Sequence, residues 1–290
     1  MKVLVTGASG LLGSRLMQAF PSDWRVDGTC HSRPVPGLIR CSLSGPDSVG
    51  DVIRRGGYDW VVHCAAIRSP DACSKDPRRA MAVNAEGTRA VAAACASAGA
   101  RTLYVSTDYV FPGSTPPYAE RDTPAPINVY GESKLAGEHY ALAVPRALVV
   151  RIPALYSLDL SAPNNLLGAL KASLEKGKAV PADDHCVRYY TLAEEVANAL
   201  AFLIRGEQTG VVHVSAHEPS TKLRFLREAA RSAGLEPGLV VEAGGGATRA
   251  DARAAADRPL DSHLETARYE ALAGPALTGW SRALERLRRQ

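Results

Sequence analysis

The 290-residue sequence predicts an α/β protein: a doubly wound, Rossmann-like parallel sheet followed by a smaller carboxyl-terminal α/β substrate lobe. Three observations carry that expectation. Short β-branched runs alternate with longer helical patterns through the first half, as parallel strands joined by crossover helices require. A glycine-rich turn, Thr6-Gly7-Ala8-Ser9-Gly10-Leu11-Leu12-Gly13, lies between the first strand and the first helix. Downstream, Tyr130-Gly131-Glu132-Ser133-Lys134 offers a phenol and an ammonium on one face of a helix, four residues apart.

The strands are expected at 2–6, 25–30, 59–63, 101–106 and 146–151, where apolar and β-branched residues cluster. Helices are expected at 11–20, 46–55, 77–99 and 128–142. Alanines 90, 92, 93, 94 and 96 favour the third of these and permit close packing on a sheet. After Arg151 the rhythm loosens: helices at 164–176, 192–205 and 221–233, a strand at 211–214, a loop over 243–259 containing Gly244-Gly245-Gly246, and a final amphipathic helix at 278–288. The division is therefore a nucleotide-binding domain over 1–151 with returning segments near 192–214, and a substrate lobe over 152–191 and 215–290.

Composition sets bounds on function. With 46% apolar and 22% charged residues the chain can bury a large core. A formal charge of +4, the difference between 34 basic and 30 acidic residues, makes no case for nucleic acid or an anionic membrane. No apolar run approaches roughly 18 residues, and no cleavable leader is read, so a cytoplasmic location is expected. The six cysteines show no metal-binding spacing and read as free thiols. His63, His185, His213 and His217 likewise assemble no metal site, and no metal is expected.

The glycines would let the backbone turn tightly and approach a pyrophosphate, with Ser9, Leu11 and Leu12 supplying amides at a helix amino terminus. A turn without a cofactor is the alternative. NAD-binding folds place an acid roughly 20 residues beyond the glycines, whereas NADP needs positive charge there. His31, Ser32 and Arg33 occupy that stretch, and the nearest acid, Asp27, lies within the second strand. NADP(H) is the preferred cofactor, with NAD(H) an alternative.

Tyrosine ordinarily titrates at about 10, and moving it about three units towards neutrality takes roughly 4 kcal/mol of phenolate stabilisation. Lys134 and an oxidised nicotinamide can supply it, so Tyr130 is the candidate proton donor to a substrate oxygen. Thr107, at the carboxyl end of the fourth strand, is placed to hold the reacting carbonyl; turn contacts alone are the other reading of Ser106-Thr107-Asp108. Arg188 and Arg258 are candidates for pairing with a substrate diphosphate.

Beyond these local arguments, Ser106-Thr107-Asp108-Tyr109-Val110-Phe111, then Pro117-Tyr118, Glu120, Pro124, Pro126, Asn128 and Tyr130 through Glu138, resemble extended short-chain dehydrogenase/reductases of the dTDP-4-dehydrorhamnose reductase family. Arg258-Pro259, Ser262 and Leu264 resemble that family's carboxyl-terminal element, so the resemblance spans most of the chain. It implies NADPH-dependent reduction of a keto group on a nucleotide-linked sugar. It also implies that Cys64-Ala65-Ala66 line the cofactor and that Asn84 supports the active-site lysine, a helix-surface polar residue being the other reading of Asn84; Arg68 and Asp108 are further candidates for substrate contact.

Two segments depart from the pattern. Arg151-Ile152-Pro153-Ala154-Leu155-Tyr156 stands where that family carries Arg-Thr-Ser-Trp and an aromatic, and Asp184 through Thr191 replaces its Asp-Gln-x-Gly-x-Pro-Thr segment. These stretches, with Arg68-Ser69-Pro70-Asp71, resemble the methionine adenosyltransferase beta subunit, which implies a regulatory subunit and a protein partner as the alternative. A nucleotide-sugar epimerase is a further one. A homodimer is compatible with each reading.

Overall fold

The computed structural model describes residues 1–32, 34–43, 48–243, 257–273 and 277–289. Seven strands form the central sheet: β1 (Lys2–Thr6), β2 (Arg25–Cys30), β3 (Ile39–Arg40), β4 (Trp60–His63), β5 (Arg101–Thr107), β6 (Leu148–Ile152) and, returning late, β11 (Gly210–His213). All neighbouring pairs are parallel, in the order β3-β2-β1-β4-β5-β6-β11. The chain winds outward from β1 to β3, then crosses back to β4. The crevice between the carboxyl ends of β1 and β4 is therefore the switch point at which such sheets bind ligands.

Side chains alternate across the sheet. Val3 and Val5 face a core shared with α1 (Leu11–Ala19) and α8 (Ala193–Arg205), whereas Leu4 and Val61 face α2 (Val49–Gly56) and α5 (Gly87–Ala98). Tyr104 and Val149 pack with Ala141 of α6 (Val129–Leu142) on that second side. Both faces are covered, which is why the strands read as nearly continuous apolar runs.

The expected helix over 77–99 divides. A short α3 (Pro70–Lys75), not expected from the sequence, precedes α4 (Pro77–Ala80); Met81–Glu86 then forms a π-helical turn before α5. The alanine-rich composition gives no warning of the extra residue in the turn, because propensity does not distinguish α from π hydrogen bonding.

A second apolar core joins α7 (Leu166–Leu174) and α9 (Lys222–Ser232) through Leu167, Leu170, Phe225 and Leu226, closed by Trp280 and Leu284. Three two-stranded ladders edge it: β7 (Leu155–Tyr156) with β10 (Thr191–Leu192), β8 (Val180–Ala182) with β13 (Val240–Glu242), and β9 (Val187–Arg188) with β12 (Ser220–Thr221). These strands are two or three residues long, too short to leave a period in the sequence. The expected final helix is also interrupted, with an α segment at Trp280–Leu284 and a 3₁₀ turn at Leu287–Arg289. The helix Ala267–Ala273 sends Tyr269 into the core of the large sheet. Most of the loop expected over 243–259 lies outside the described residues.

Candidate active site

Gly7 leaves β1 at φ +70°, and a Cβ there would lie 2.9 Å from the backbone of Ala65. Gly13 is tighter still: its Cβ would meet the Gly7 carbonyl oxygen at 2.3 Å. The glycines thus let strand end, turn and helix close on one another, and any side chain would fill the cradle. Gly10 occupies the N-cap of α1 with no side-chain cap, so the first-turn amides of Leu11, Leu12 and Gly13 have no intrahelical acceptor. That is the donor set an anionic pyrophosphate needs. Ser9 sits partly exposed in the same turn, and His31 and Ser32 are exposed beyond β2. Arg33 lies outside the described residues.

Across the crevice, Cys64, Ala65 and Ala66 continue from β4. The Ala65 amide donates to Thr6 Oγ1 at 3.4 Å, and His63 Nδ1 pairs with the same hydroxyl at 2.6 Å. Burial, aided by the Lys134 charge, drives His63 down to about 3, so it is a neutral structural ring. Burial pushes the Cys64 thiol up to about 12, which makes it a poor nucleophile. Asn84, on the π-helical turn, holds this segment. Its Oδ1 accepts from the Ile67 amide at 2.7 Å, and its Nδ2 donates to Ile67 O at 2.9 Å and Ser133 Oγ at 3.0 Å. Asn84 therefore ties the crevice wall to the helix bearing Lys134, with no direct bond to the lysine.

Two glycines seat α6. A Cβ on Gly131 would meet the Tyr109 carbonyl at 2.2 Å, and one on Gly137 the Tyr104 hydroxyl at 2.3 Å. Asn128 caps the helix, accepting from the Gly131 amide at 2.8 Å. The result is that Tyr130 and Lys134 lie against the end of β5. Lys134 Nζ donates to Val105 O at 2.7 Å and sits 4.0 Å from the centre of the Tyr104 ring. Burial lowers its pKa to about 7, opposed by Glu138. Tyr130 packs edge-on against Tyr109 at 5.8 Å. Burial holds its phenol well above the usual range, with Thr107 hydrogen bonding pulling the other way and Asp108 adding to the rise. The phenol therefore stays protonated.

Thr107 Oγ1 donates to Asp108 Oδ1 at 3.0 Å and accepts from the Tyr109 amide at 3.2 Å. Asp108 is 2% exposed, and Ser262 Oγ donates to its other oxygen at 2.5 Å. Burial raises its pKa, while Arg188 favours the charged form. Arg188, 5% exposed, donates through Nη1 to Val187 O and Pro259 O, lies 5.1 Å from the centre of the Tyr109 ring, and leaves Nη2 without a hydrogen-bond partner among the described residues. Arg258 pairs with Asp71 at 2.8 Å, and Arg68 donates to Asn164 O at 3.2 Å. Thr107, Asp108, Tyr130, Lys134 and Arg188 are thus brought together; Arg68 and Arg258 are engaged at α3 and the loop before α7.

Beside this group lies a network that the motifs did not single out. Glu138, one turn beyond Lys134, receives Ser106 Oγ at 2.5 Å and Arg151 Nε and Nη2 at 3.0 and 2.8 Å. Arg151 Nη1 also meets His213 Nε2 at 3.3 Å, and His213 Nδ1 meets the Glu265 carbonyl at 3.1 Å. Glu138 closes the family-like block that begins at Tyr130 and Arg151 opens the departing segment, but nothing in either stretch signals that the two pair. No group of three or more His, Cys, Asp or Glu among the described residues could hold a metal, and no described helix is long and apolar enough to cross a membrane.

Fold and site define an NAD(P)-dependent oxidoreductase of the extended short-chain dehydrogenase/reductase class. The chain belongs to the family described as RmlD substrate binding domain, whose model matches residues 1–290. It is 34% identical over 279 residues to the methionine adenosyltransferase 2 subunit beta of Danio rerio, covering 93% of this chain and 84% of that one. It is 31% identical over 279 residues to a probable low-salt glycan biosynthesis reductase, Agl14, of Haloferax volcanii, covering 93% and 91%. Among solved structures, the dTDP-4-dehydrorhamnose reductase of Bacillus anthracis in complex with NADP aligns with a TM-score of 0.84 at 26% identity, covering 99% of this chain and 98% of that one.

Proposed function

We propose that the protein reduces a keto group on a nucleotide-linked sugar with NADPH, Tyr130 serving as proton donor. The observation that carries this reading is the meeting of Thr107, Tyr130 and Lys134 at the carboxyl end of β5, beside a glycine cradle that side chains would fill. The reduced nicotinamide supplies a hydride to the carbonyl carbon when bound. Uncapped amides of α1 would hold the pyrophosphate, and Lys134 would hold the nicotinamide ribose. As charge gathers on the carbonyl oxygen, Tyr130 gives it a proton; the ammonium of Lys134 lowers the cost of the phenolate left behind. The phenolate then regains its proton from solvent. Arg188, with an unused guanidinium nitrogen beside Tyr109, anchors the substrate's diphosphate.

The test is NADPH consumption with dTDP-4-dehydrorhamnose. Tyr130→Phe should lower turnover by roughly 10²–10⁴-fold, with the dissociation constant for NADPH nearly unchanged; retained turnover in that variant removes Tyr130 from the chemistry. For the cofactor, we infer a preference for NADPH from Arg33. Arg33→Ala should narrow the ratio of kcat/KM for NADPH over NADH, and an unaltered ratio would reject the assignment.

One observation favours a second reading. The match to the methionine adenosyltransferase subunit covers 93% of the chain, including the departures around Ala154 and Cys186. On that reading the cofactor site is kept and the protein docks to a partner enzyme. Co-purification with a methionine adenosyltransferase, together with no ketone reduction across nucleotide-sugar ketones, would favour it.

A further inference from the structure

The hydroxyl of Thr107 carries one hydrogen, and the direction of that hydrogen decides which oxygen the site can hold. A ketone oxygen only accepts, so it needs donors from both Tyr130 and Thr107. An alcohol can accept from Tyr130 and donate its own hydrogen, so it needs Thr107 as acceptor. Thr107 is set between these states by its neighbour: it donates to Asp108 Oδ1 at 3.0 Å and accepts from the Tyr109 amide at 3.2 Å. Ser262 Oγ donates to the remaining Asp108 oxygen at 2.5 Å.

An ionised carboxylate accepts and cannot donate. With Asp108 charged, both hydroxyls must point at it, and Thr107 has only a lone pair to offer the crevice. With Asp108 protonated, one oxygen still accepts from Ser262 while the other donates to Thr107 Oγ1. The Thr107 hydrogen is then released towards substrate. Every donor and acceptor of the trio is satisfied in both states.

We propose that Asp108, clamped by Ser262, is a positioning residue that switches Thr107 between a ketone-binding donor and an alcohol-binding acceptor. This rests on the reductase reading above. Asp108 keeps its proton through the reaction; the transferred atoms remain the hydride and the Tyr130 proton. The surroundings permit both states. Burial opposes the carboxylate, whereas Arg188 from β9 and the hydrogen bonds from Ser262 and Thr107 favour it; the phenols of Tyr109 and Tyr130, which face the same turn, are neutral and raised by the Asp108 charge. Ser262 reaches in from a segment that is fastened to the same wall, since Pro259 O accepts from Arg188 Nη1 at 2.9 Å.

The experiment compares wild type with Asp108→Asn and Asp108→Ala. The asparagine amide can donate to Thr107 while its oxygen accepts from Ser262, which locks the ketone-binding arrangement; alanine removes both. Measured are kcat/KM for dTDP-4-dehydrorhamnose against pH, the affinity of the NADP⁺-loaded protein for dTDP-rhamnose against pH, and infrared difference spectra of the protonated carboxyl band. In the wild type kcat/KM should fall and alcohol binding tighten over one ionisation, and the carboxyl band should vanish over the same range. In Asp108→Asn that band is absent, the kcat/KM profile is flat across the range, and alcohol binding loses its pH dependence. Asp108→Ala should lose the same ionisation but sit at least tenfold below the wild-type acid limit in kcat/KM. An Asp108→Asn profile that still follows the wild type, or no carboxyl band at any pH where reduction proceeds, overturns the proposal. If the wild type reduces no ketone, the reductase reading falls with it; if Tyr130→Phe is inactive but Asp108→Asn titrates like wild type, only the switch falls.

Discussion

Lys134 is held in a place that opposes its own charge. It is 3% exposed, bonded through Nζ to a single carbonyl, and burial brings its pKa from 10.5 to about 7. The folded state therefore binds fewer protons than the unfolded chain between those values, and stability rises with pH across that window. Below about 7 the penalty for the buried ammonium is complete; above 10.5 both states are neutral and it is gone. Lys134→Met should accordingly raise the melting temperature most near pH 6, with the gain shrinking towards pH 10, while abolishing turnover. Thermal melts across that range check it, and a gain that grows with pH would show the lysine to be charged and stabilising instead. A strained functional residue of this kind is legible in sequence because Tyr130 and Lys134 are four positions apart on one helix. The pairing of Ser262 with Asp108 is not: each stands in a family-like stretch, but 154 residues separate them and no local period links the two.

At the level of elements, α6 is placed by what its glycines lack. Gly137 rests on the Tyr104 hydroxyl and lies 3.0 Å, measured from an added Cβ, from the Asn84 carbonyl of the π-helical turn. Gly137→Ala should cost roughly 1–3 kcal/mol through overpacking and lift Tyr130 and Lys134 off β5. Chemical denaturation and kcat together test this; a stable variant with lowered kcat would assign the glycine to site geometry alone, and no change in either would mean the contact yields. The helices and strands of the nucleotide-binding half were readable because burial on both faces writes long apolar runs. The π-helical turn was not, since its consequence, Asn84 facing Ile67 and Ser133, depends on packing rather than on composition. The ladders β7 through β10 were hidden for a different reason: each is too brief to impose an alternation.

Across the whole molecule, the site is assembled from both ends of the chain. The glycine cradle follows the first strand, the helix bearing Tyr130 and Lys134 comes from the middle, and the clamp on Asp108 from Ser262. His213 on the outermost strand joins Arg151 and Glu138 to the Glu265 carbonyl, so the late segment is fastened to the sheet at a second point. Local spacing marks the first two contributions; Ser262 stands in the family-like carboxyl-terminal stretch, but its partner emerges only in the fold, where the neighbouring Asp261 bridges Val187 of β9. Chemistry was therefore more legible than substrate, whose recognition, on the proposed reading, falls on Arg188 and its neighbours in the irregular second half.

Isotope transfer reads out whether Tyr130 and its neighbours serve hydride transfer to a nucleotide-sugar ketone. The protein is incubated with NADPH deuterated at the transferable position and dTDP-4-dehydrorhamnose, and the sugar nucleotide is weighed by mass spectrometry. Wild type should yield a reduced product carrying the deuterium, and Tyr130→Phe none. Unlabelled sugar with NADPH recovered intact would contradict that role.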